Sequence, residues 1–511
     1  MSGPVSTSVS TAVSNLEQLP APLPEGSPTG VWSTTARRLP GDLEVGGCSV
    51  RALAERFGTP LYILDEADAR ARAAAWVSAM REAFAELAGA DVYYACKAFA
   101  SVGVARWMLE EGLHLDTCSE GELRIALAAG ARGHQLGLHG NNKSAAEIEL
   151  ALDHAVAHLV VDSLAEIELV AAAAARRGQV AAVVVRVTSG IHAGGHDFIA
   201  TAHEDQKFGL SLASGAAWEA IERIEANPWL RLVGLHSHIG SQIVATEAFV
   251  AAARAILDLR ARVARELGTV IPEIDLGGGY GVRYTGADPI PPTPRDFATV
   301  LAAEVARHSA ESGIPAPRIS VEPGRSIIAP AGMTLYTVGT VKNVHVDATR
   351  TRTYVSVDGG MSDNIRPALY GADYTAALVD RVPANTGTGT STGTTIEADD
   401  AAAASAADPS AGAAATQGNP EGARVCRVVG KHCESGDIVV RAVALPEDIH
   451  AGDLLVTPAT GAYGRVMASH YNMLPSPGVI AVSGGRARWL IRGETVADIL
   501  ALDADYPAAE N

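Results

Sequence analysis

An α/β architecture, a TIM-like barrel followed by a C-terminal β-rich domain, is the fold class that the sequence predicts, and three observations lead to it. Short β-type apolar runs alternate with Ala-rich stretches of helical period between about residues 61 and 328, the rhythm of parallel strands joined by crossover helices. Nearly every one of these runs ends in a residue that can do chemistry or bind an anion. Beyond about residue 330 the helical stretches give way to β-type runs separated by Gly, Pro and Asp.

Taken in chain order, residues 1–28 are rich in Ser, Thr, Pro and Ala and cannot bury enough apolar surface to offset the entropy of ordering, so a disordered tail is expected. Residues 29–60 are expected to join the β-rich domain. The candidate barrel strands are VYYA (92–95), LHLD (113–116), QLGLH (135–139), HLVV (158–161), AVVVRV (182–187), LVGLHSH (232–238), EIDLG (273–277) and RISVE (318–322). Eight such units suit a closed barrel or a doubly wound open sheet, and periodicity alone does not separate them. The residues at the run ends favour the barrel, because Lys97, Asp116, His139, Asp162, Arg186, His236, His238 and Glu322 would converge at a barrel mouth, whereas an open sheet offers mainly its switch point. The barrel is placed at 61–328 and the β-rich domain at 329–511, with the runs LYTVGTV, TYVSVD, DIVVRAV, DLLVTP and ARWLIR. A Thr-, Gly- and Ala-rich stretch at 385–422 interrupts that domain and reads as a disordered surface insertion, which a loop tolerates at small entropic cost.

Composition narrows the function classes. The chain has 511 residues, 48% apolar and 19% charged, and a formal net charge of −18 with no Lys or Arg cluster, so a phosphate-backbone partner would be repelled over most of the surface. The five cysteines, Cys48, Cys96, Cys118, Cys426 and Cys433, form no CxxC pair, which fits a reducing cytoplasm. The first residues lack a basic start followed by an apolar core, and no run reaches the ~18 apolar residues that span a bilayer. A cytoplasmic protein without membrane or nucleic-acid partners is expected.

Four motifs carry most of the chemistry. In YYACKAFA, Lys97 follows a β-type run, and desolvation at a barrel mouth would favour the neutral amine that attacks an aldehyde. In EIDLGGGYG, Gly277, Gly278 and Gly279 would let backbone N–H groups crowd around a phosphate, although the run is not a dinucleotide fingerprint. GLHSHIGSQ puts His236 and His238 on one side of a strand; no third ligand stands at metal spacing nearby, so no metal is expected, and a flat imidazole could stack on an aromatic cofactor ring while Ser241 bonds a phosphate oxygen. In SVEPGRSI, Glu322 ends a strand and Arg325 follows a turn through Gly324; a carboxylate facing a pyridine nitrogen keeps it protonated and makes the ring an electron sink. Three loops of the β-rich region add Arg366 and Tyr370, Cys433 and Glu434, and Tyr463, each in a composition shared by ordinary and binding loops.

As an ordered set, YACKA, HGNNKS, GLHSHIGSQ, DLGGGYG, EPGRS, DGGMSDNIRPALYGA, CESGD and TGAYG resemble the fold-type III pyridoxal-phosphate decarboxylases, most closely the branch acting on meso-diaminopimelate, over 58–498. The resemblance implies an alanine-racemase-like barrel, a β domain, and a homodimer whose two sites lie at the subunit interface. It makes Lys97 similar to the Schiff-base lysine and His238 to the ring-stacking imidazole. Ser241, Gly277, Gly278, Gly279 and Gly324 then fall in the phosphate-binding region, Glu322 opposite the pyridine nitrogen, and Tyr463 near phosphate and substrate. Arg325, Arg366 and Tyr370 match residues for the substrate carboxylate. Cys433 and Glu434 match a pair given across the dimer, the thiol near the reacting carbon and the carboxylate toward the distal ammonium. The implied cofactor is pyridoxal 5'-phosphate, and the implied reaction is decarboxylation of meso-2,6-diaminopimelate to L-lysine. The alternatives are an ornithine or arginine decarboxylase on the same scaffold and a cofactor-binding regulator without turnover. Ser189 and His470 stand where the family usually has proline and asparagine.

Overall fold

The computed structural model describes residues 30–191, 207–347, 351–382 and 422–506. The tail at 1–28 lies outside them, as does all of the 385–422 stretch but its last residue. Eight parallel strands close into a barrel: Ala90–Ala95, His114–Thr117, Leu136–Leu138, His158–Val161, Ala181–Thr188, Leu230–His236, Glu273–Asp275 and Arg318–Val321, the last pairing back onto the first. All eight runs read from the sequence are strands, and closure settles the choice between barrel and open sheet. A two-residue strand, Leu210–Ser211, extends Ala181–Thr188 on the outside.

The chain turns from strand to helix by one repeated device. Ser101, Ser119, Ser144 and Ser163 each accept a hydrogen bond from a backbone N–H in the first turn of the helix that follows, satisfying donors that the helix cannot pair itself. Helix starts are thereby fixed just beyond the strand ends, and the residues between strand and cap are left facing the mouth. Strand interiors such as His158–Val161 are buried throughout, as expected when helices cover the outside of a parallel sheet.

The β-rich unit is a second sheet in the order Ile438–Pro446, Ala423–Val429, Thr351–Val357, Gly332–His345, Leu61–Asp65, Gly478–Ser483 and Arg486–Ile491, with Leu454–Pro458 also on Gly332–His345. Leu61–Asp65 pairs antiparallel with Gly332–His345 and parallel with Gly478–Ser483. The expected start of the barrel at 61 is therefore corrected by one strand: this run is buried at every position, which suits the centre of either sheet, and only its pairing assigns it. The stretch 30–60 is bonded to the same unit, through Arg38 to the Leu378 carbonyl at 2.8 Å, the Gly485 N–H to the Gly46 carbonyl at 2.8 Å and Thr59 to Thr337 at 2.6 Å.

Barrel and sheet meet where two backbones touch. A Cβ built on Gly461 would stand 2.0 Å from the Ile328 carbonyl oxygen, and one on Gly332 2.3 Å from Gly461 Cα. The Gly461 N–H bonds the Ala329 carbonyl at 3.2 Å and the Tyr463 N–H bonds the Ala98 carbonyl at 2.9 Å, so this contact seats the TGAYG loop beside Lys97. Gly461→Ala should lower stability by about 1–3 kcal/mol through overpacking against rigid backbone, read as a lower urea midpoint. An unchanged midpoint would show that the junction yields freely.

Candidate active site

The C-terminal ends of the barrel strands converge on one polar mouth. Lys97 sits in a single 3₁₀ turn, Cys96–Ala98, directly after strand Ala90–Ala95, and among the described residues no hydrogen bond or ion pair holds its ammonium. Burial works to lower its pKa but is outweighed by Asp116, then Tyr463, Cys118 and Glu322, so the net direction is up. This reverses the sequence expectation of a lysine held neutral by desolvation: the surrounding acids favour the ammonium more than burial disfavours it.

Glu322 lies at the centre, buried, with His139 Nε2 at 3.2 Å and His236 Nε2 at 3.3 Å from its Oε1. Asp116 Oδ1 is 3.3 Å from the same His139 nitrogen. Burial would raise the Glu322 pKa, yet His139 and His236 hold it well below the usual carboxylate range. Burial, then the Glu322 charge, pushes Asp116 and Asp275 well above that range. Of these three buried carboxyl groups, Glu322 is the one whose charged form the surroundings favour. His139, His236 and Glu322 place their ligand atoms within 4.8 Å of one another, so the third metal-type ligand that sequence spacing did not offer to His236 comes from other strands.

Three loops fold over one another beside this group. A Cβ on Gly278 would lie 2.4 Å from the Glu322 carbonyl oxygen, and one on Gly279 2.4 Å from that of Gly240; Gly277 and Gly279 also have positive φ, +67° and +112°, which glycine adopts without strain. The Gly278 N–H donates to His238 Nδ1 at 3.2 Å, leaving the proton of a neutral ring on Nε2, and burial drives the His238 pKa well below its ordinary value. Gly324 crosses under the Lys97 strand, its Cβ position 2.9 Å from the Ala95 carbonyl oxygen.

Next to the glycine loop stand two arginines. Arg325 donates to Ser241 Oγ at 2.8 Å and to the Tyr284 hydroxyl, and its guanidinium lies 4.6 Å over the Tyr463 ring. Arg366, buried, donates to the Tyr374 hydroxyl and lies 4.4 Å over the Tyr284 ring. Tyr284 and Tyr374 were not singled out in the sequence; a tyrosine close after the triple glycine and another four residues beyond Tyr370 were the only signals. Tyr370 itself is 64% exposed, and among the described residues its hydroxyl makes no hydrogen bond. Cys433 and Glu434 are exposed on a separate loop, tied to Asn472 at 2.9 Å and Tyr471 at 3.4 Å, with no hydrogen bond to the barrel mouth among the described residues.

Fold and mouth define a barrel enzyme that binds a phosphorylated, ring-bearing cofactor. The family model for the pyridoxal-dependent decarboxylases, pyridoxal binding domain, matches residues 70–329, and the chain belongs to that family. It is 45% identical to the diaminopimelate decarboxylase of Corynebacterium efficiens over 93% of this chain and 95% of that one. To the Mycobacterium tuberculosis diaminopimelate decarboxylase it is 46% identical over 93% and 97%. The crystal structure of diaminopimelate decarboxylase from M. jannaschii in complex with L-lysine superposes with a TM-score of 0.79 at 28% identity, over 92% of this chain and 98% of that one.

The cofactor is pyridoxal 5'-phosphate, and the residues present fit it. Glu322 Oε1 is buried without an aligned hydrogen bond, spare capacity that suits a protonated ring nitrogen. The glycine loop leaves backbone where a Cβ would collide, and among the described residues no hydrogen bond or ion pair competes for the Lys97 amine.

Asp363 orders the loop that leads to Arg366, accepting from Tyr336 Oη at 2.6 Å and the Gly360 N–H at 2.9 Å. Burial pushes its pKa from 3.8 up to about 7 against those two bonds. A folded value above the unfolded one gives stability that is fully present below pH 3.8 and lost as pH rises through about 7. Wild type should therefore lose urea resistance progressively from about pH 4 to about pH 7, the window between the unfolded and folded values, and Asp363→Asn should lose less over the same range. Parallel curves would refute the assignment.

Proposed function

We propose that this chain decarboxylates meso-2,6-diaminopimelate to L-lysine and CO2, the last step of lysine biosynthesis, as a cytoplasmic homodimer. One observation carries the substrate choice: the buried Arg366, with Arg325 beside it across Tyr284, offers a fixed cation to a carboxylate at the far end of a diamino acid. Ornithine has no distal carboxylate and would leave that guanidinium unmatched. The near full-length identity to diaminopimelate decarboxylases supports the same choice.

When bound, pyridoxal 5'-phosphate supplies a protonated ring that accepts the electron pair left on the α-carbon as CO2 departs. The chain's residues do the rest. Lys97 would hold the cofactor through its Nζ. His238 covers one ring face, and the neighbouring loop, with Ser241, Gly277, Gly278, Gly279, Gly324 and Tyr463, receives the phosphate. Glu322 keeps the ring nitrogen protonated. Cys433 and Glu434, which among the described residues make no hydrogen bond to their own barrel mouth, serve the neighbouring copy: the thiol or Lys97 Nζ delivers the proton that replaces the carboxylate, and Glu434 receives the distal ammonium.

CO2 release assayed on meso-diaminopimelate, ornithine and arginine should be confined to the first. Arg366→Ala should lower kcat/KM by about 100-fold, the scale of a lost buried charge contact; equal rates on ornithine would reject the substrate. Lys97→Ala should lose both turnover and the visible cofactor band that borohydride traps. Shared sites make a second prediction. Lys97→Ala and Cys433→Ala chains, each inactive alone, should regain roughly a quarter of wild-type activity when subunits are mixed, since half of random dimers then carry one intact site. A mixture no better than its parents would reject the exchange.

A further inference from the structure

Glu322 is approached from three sides within the barrel. His139 and His236 bring Nε2 to 3.2 and 3.3 Å from the same oxygen, their rings 4.8 Å apart and nearly perpendicular at 77°. Asp275 stands on the third side, its own Oδ1 taken by the Gly277 N–H at 2.8 Å. Asp116 lies beyond His139, and Lys97 and Arg186 are the cations whose charge reaches both rings. His139, His236, Glu322, Asp275 and Asp116 are all buried.

A neutral imidazole turns a ring nitrogen toward a carboxylate oxygen only when that nitrogen bears the proton, since its lone pair would be repelled. At these distances a proton on Nε2 is the tautomer that suits each ring, although neither N–H is aligned on the oxygen as a hydrogen bond. Burial favours the neutral form of both rings, and a neutral ring with hydrogen on Nε2 still turns a positive dipole toward the carboxylate. His139 Nε2 has two carboxylates in reach and one proton to give. Asp116, pushed toward its neutral form by burial and by Glu322, leaves that proton to Glu322.

We infer that His139 and His236 are positioning residues: two imidazoles set against one oxygen of Glu322, steadying it as a fixed anion whose remaining capacity meets the protonated ring nitrogen of the cofactor. The inference rests on the cofactor reading above and deepens it. Neither histidine touches the reacting atoms in this account; each acts through Glu322.

The test is made on binding. Apo protein is titrated with pyridoxal 5'-phosphate and with its deaza analogue, in which the ring nitrogen is replaced by C–H, and the ratio of the two affinities reports the anion. Wild type should prefer the natural cofactor. His139→Leu and His236→Leu should each shrink that preference by about tenfold, the scale of one lost hydrogen bond to a charged group. His139→Gln and His236→Gln, whose amide N–H can still donate, should keep most of it. In the leucine variants the bound cofactor's absorbance should also show the ring nitrogen losing its proton at lower pH. An unchanged ratio in both leucine variants would overturn the inference while leaving the cofactor reading intact. So would glutamine variants as impaired as leucine ones, or a stoichiometric divalent metal that a chelator removes and the histidine variants lack. Failure of the wild-type chain to bind pyridoxal 5'-phosphate would overturn both.

Discussion

An ionised carboxylate inside a closed barrel is costly unless dipoles or cations repay its lost hydration, and the arrangement of the mouth follows from keeping Glu322 in that form. Two imidazoles from different strands face it at just over 3 Å, while its carboxylate neighbours, Asp116 and Asp275, are driven toward the neutral state. The same negative charge reaches Lys97 and contributes to holding its ammonium. On the proposed reading, a protonated ring nitrogen entering this mouth would meet an anion already in place.

Around that charge the backbone comes unusually close to itself. The glycine loop presses on the Glu322 and Gly240 carbonyls, Gly324 passes under the Lys97 strand, and Gly461 touches the barrel exit at Ile328. Each contact joins loops from different βα units or from the two sheets, so the glycine loop, the Lys97 turn and Tyr463 are set relative to one another by backbone contact and not by flexible side chains. Precision of this kind is what a bound cofactor and substrate need to react in place.

Much was legible in the sequence because the signals are local. All eight barrel strands could be read, since an apolar run followed by a helical stretch is written in consecutive residues, and the serine caps repeat the same punctuation. Lys97, Glu322 and the triple glycine declared themselves by residue type at a strand end. What could not be read was pairing. Leu61–Asp65 is fully buried in either sheet, and nothing in its composition says that Gly332–His345 is its neighbour. Arg366 was found, but its partners Tyr284 and Tyr374 come from opposite sides of the domain junction.

The sequence by itself determined the class of fold, the order of the strands along the chain and the reactive groups at their ends, because periodicity and residue chemistry are properties of neighbours in the chain. Only the tertiary structure decided closure of the barrel, the sheet to which the strand after residue 60 belongs, and the protonation each group prefers. Those depend on which charges and dipoles are brought within a few ångströms through low-dielectric surroundings, and that distance is fixed by packing between residues far apart in sequence.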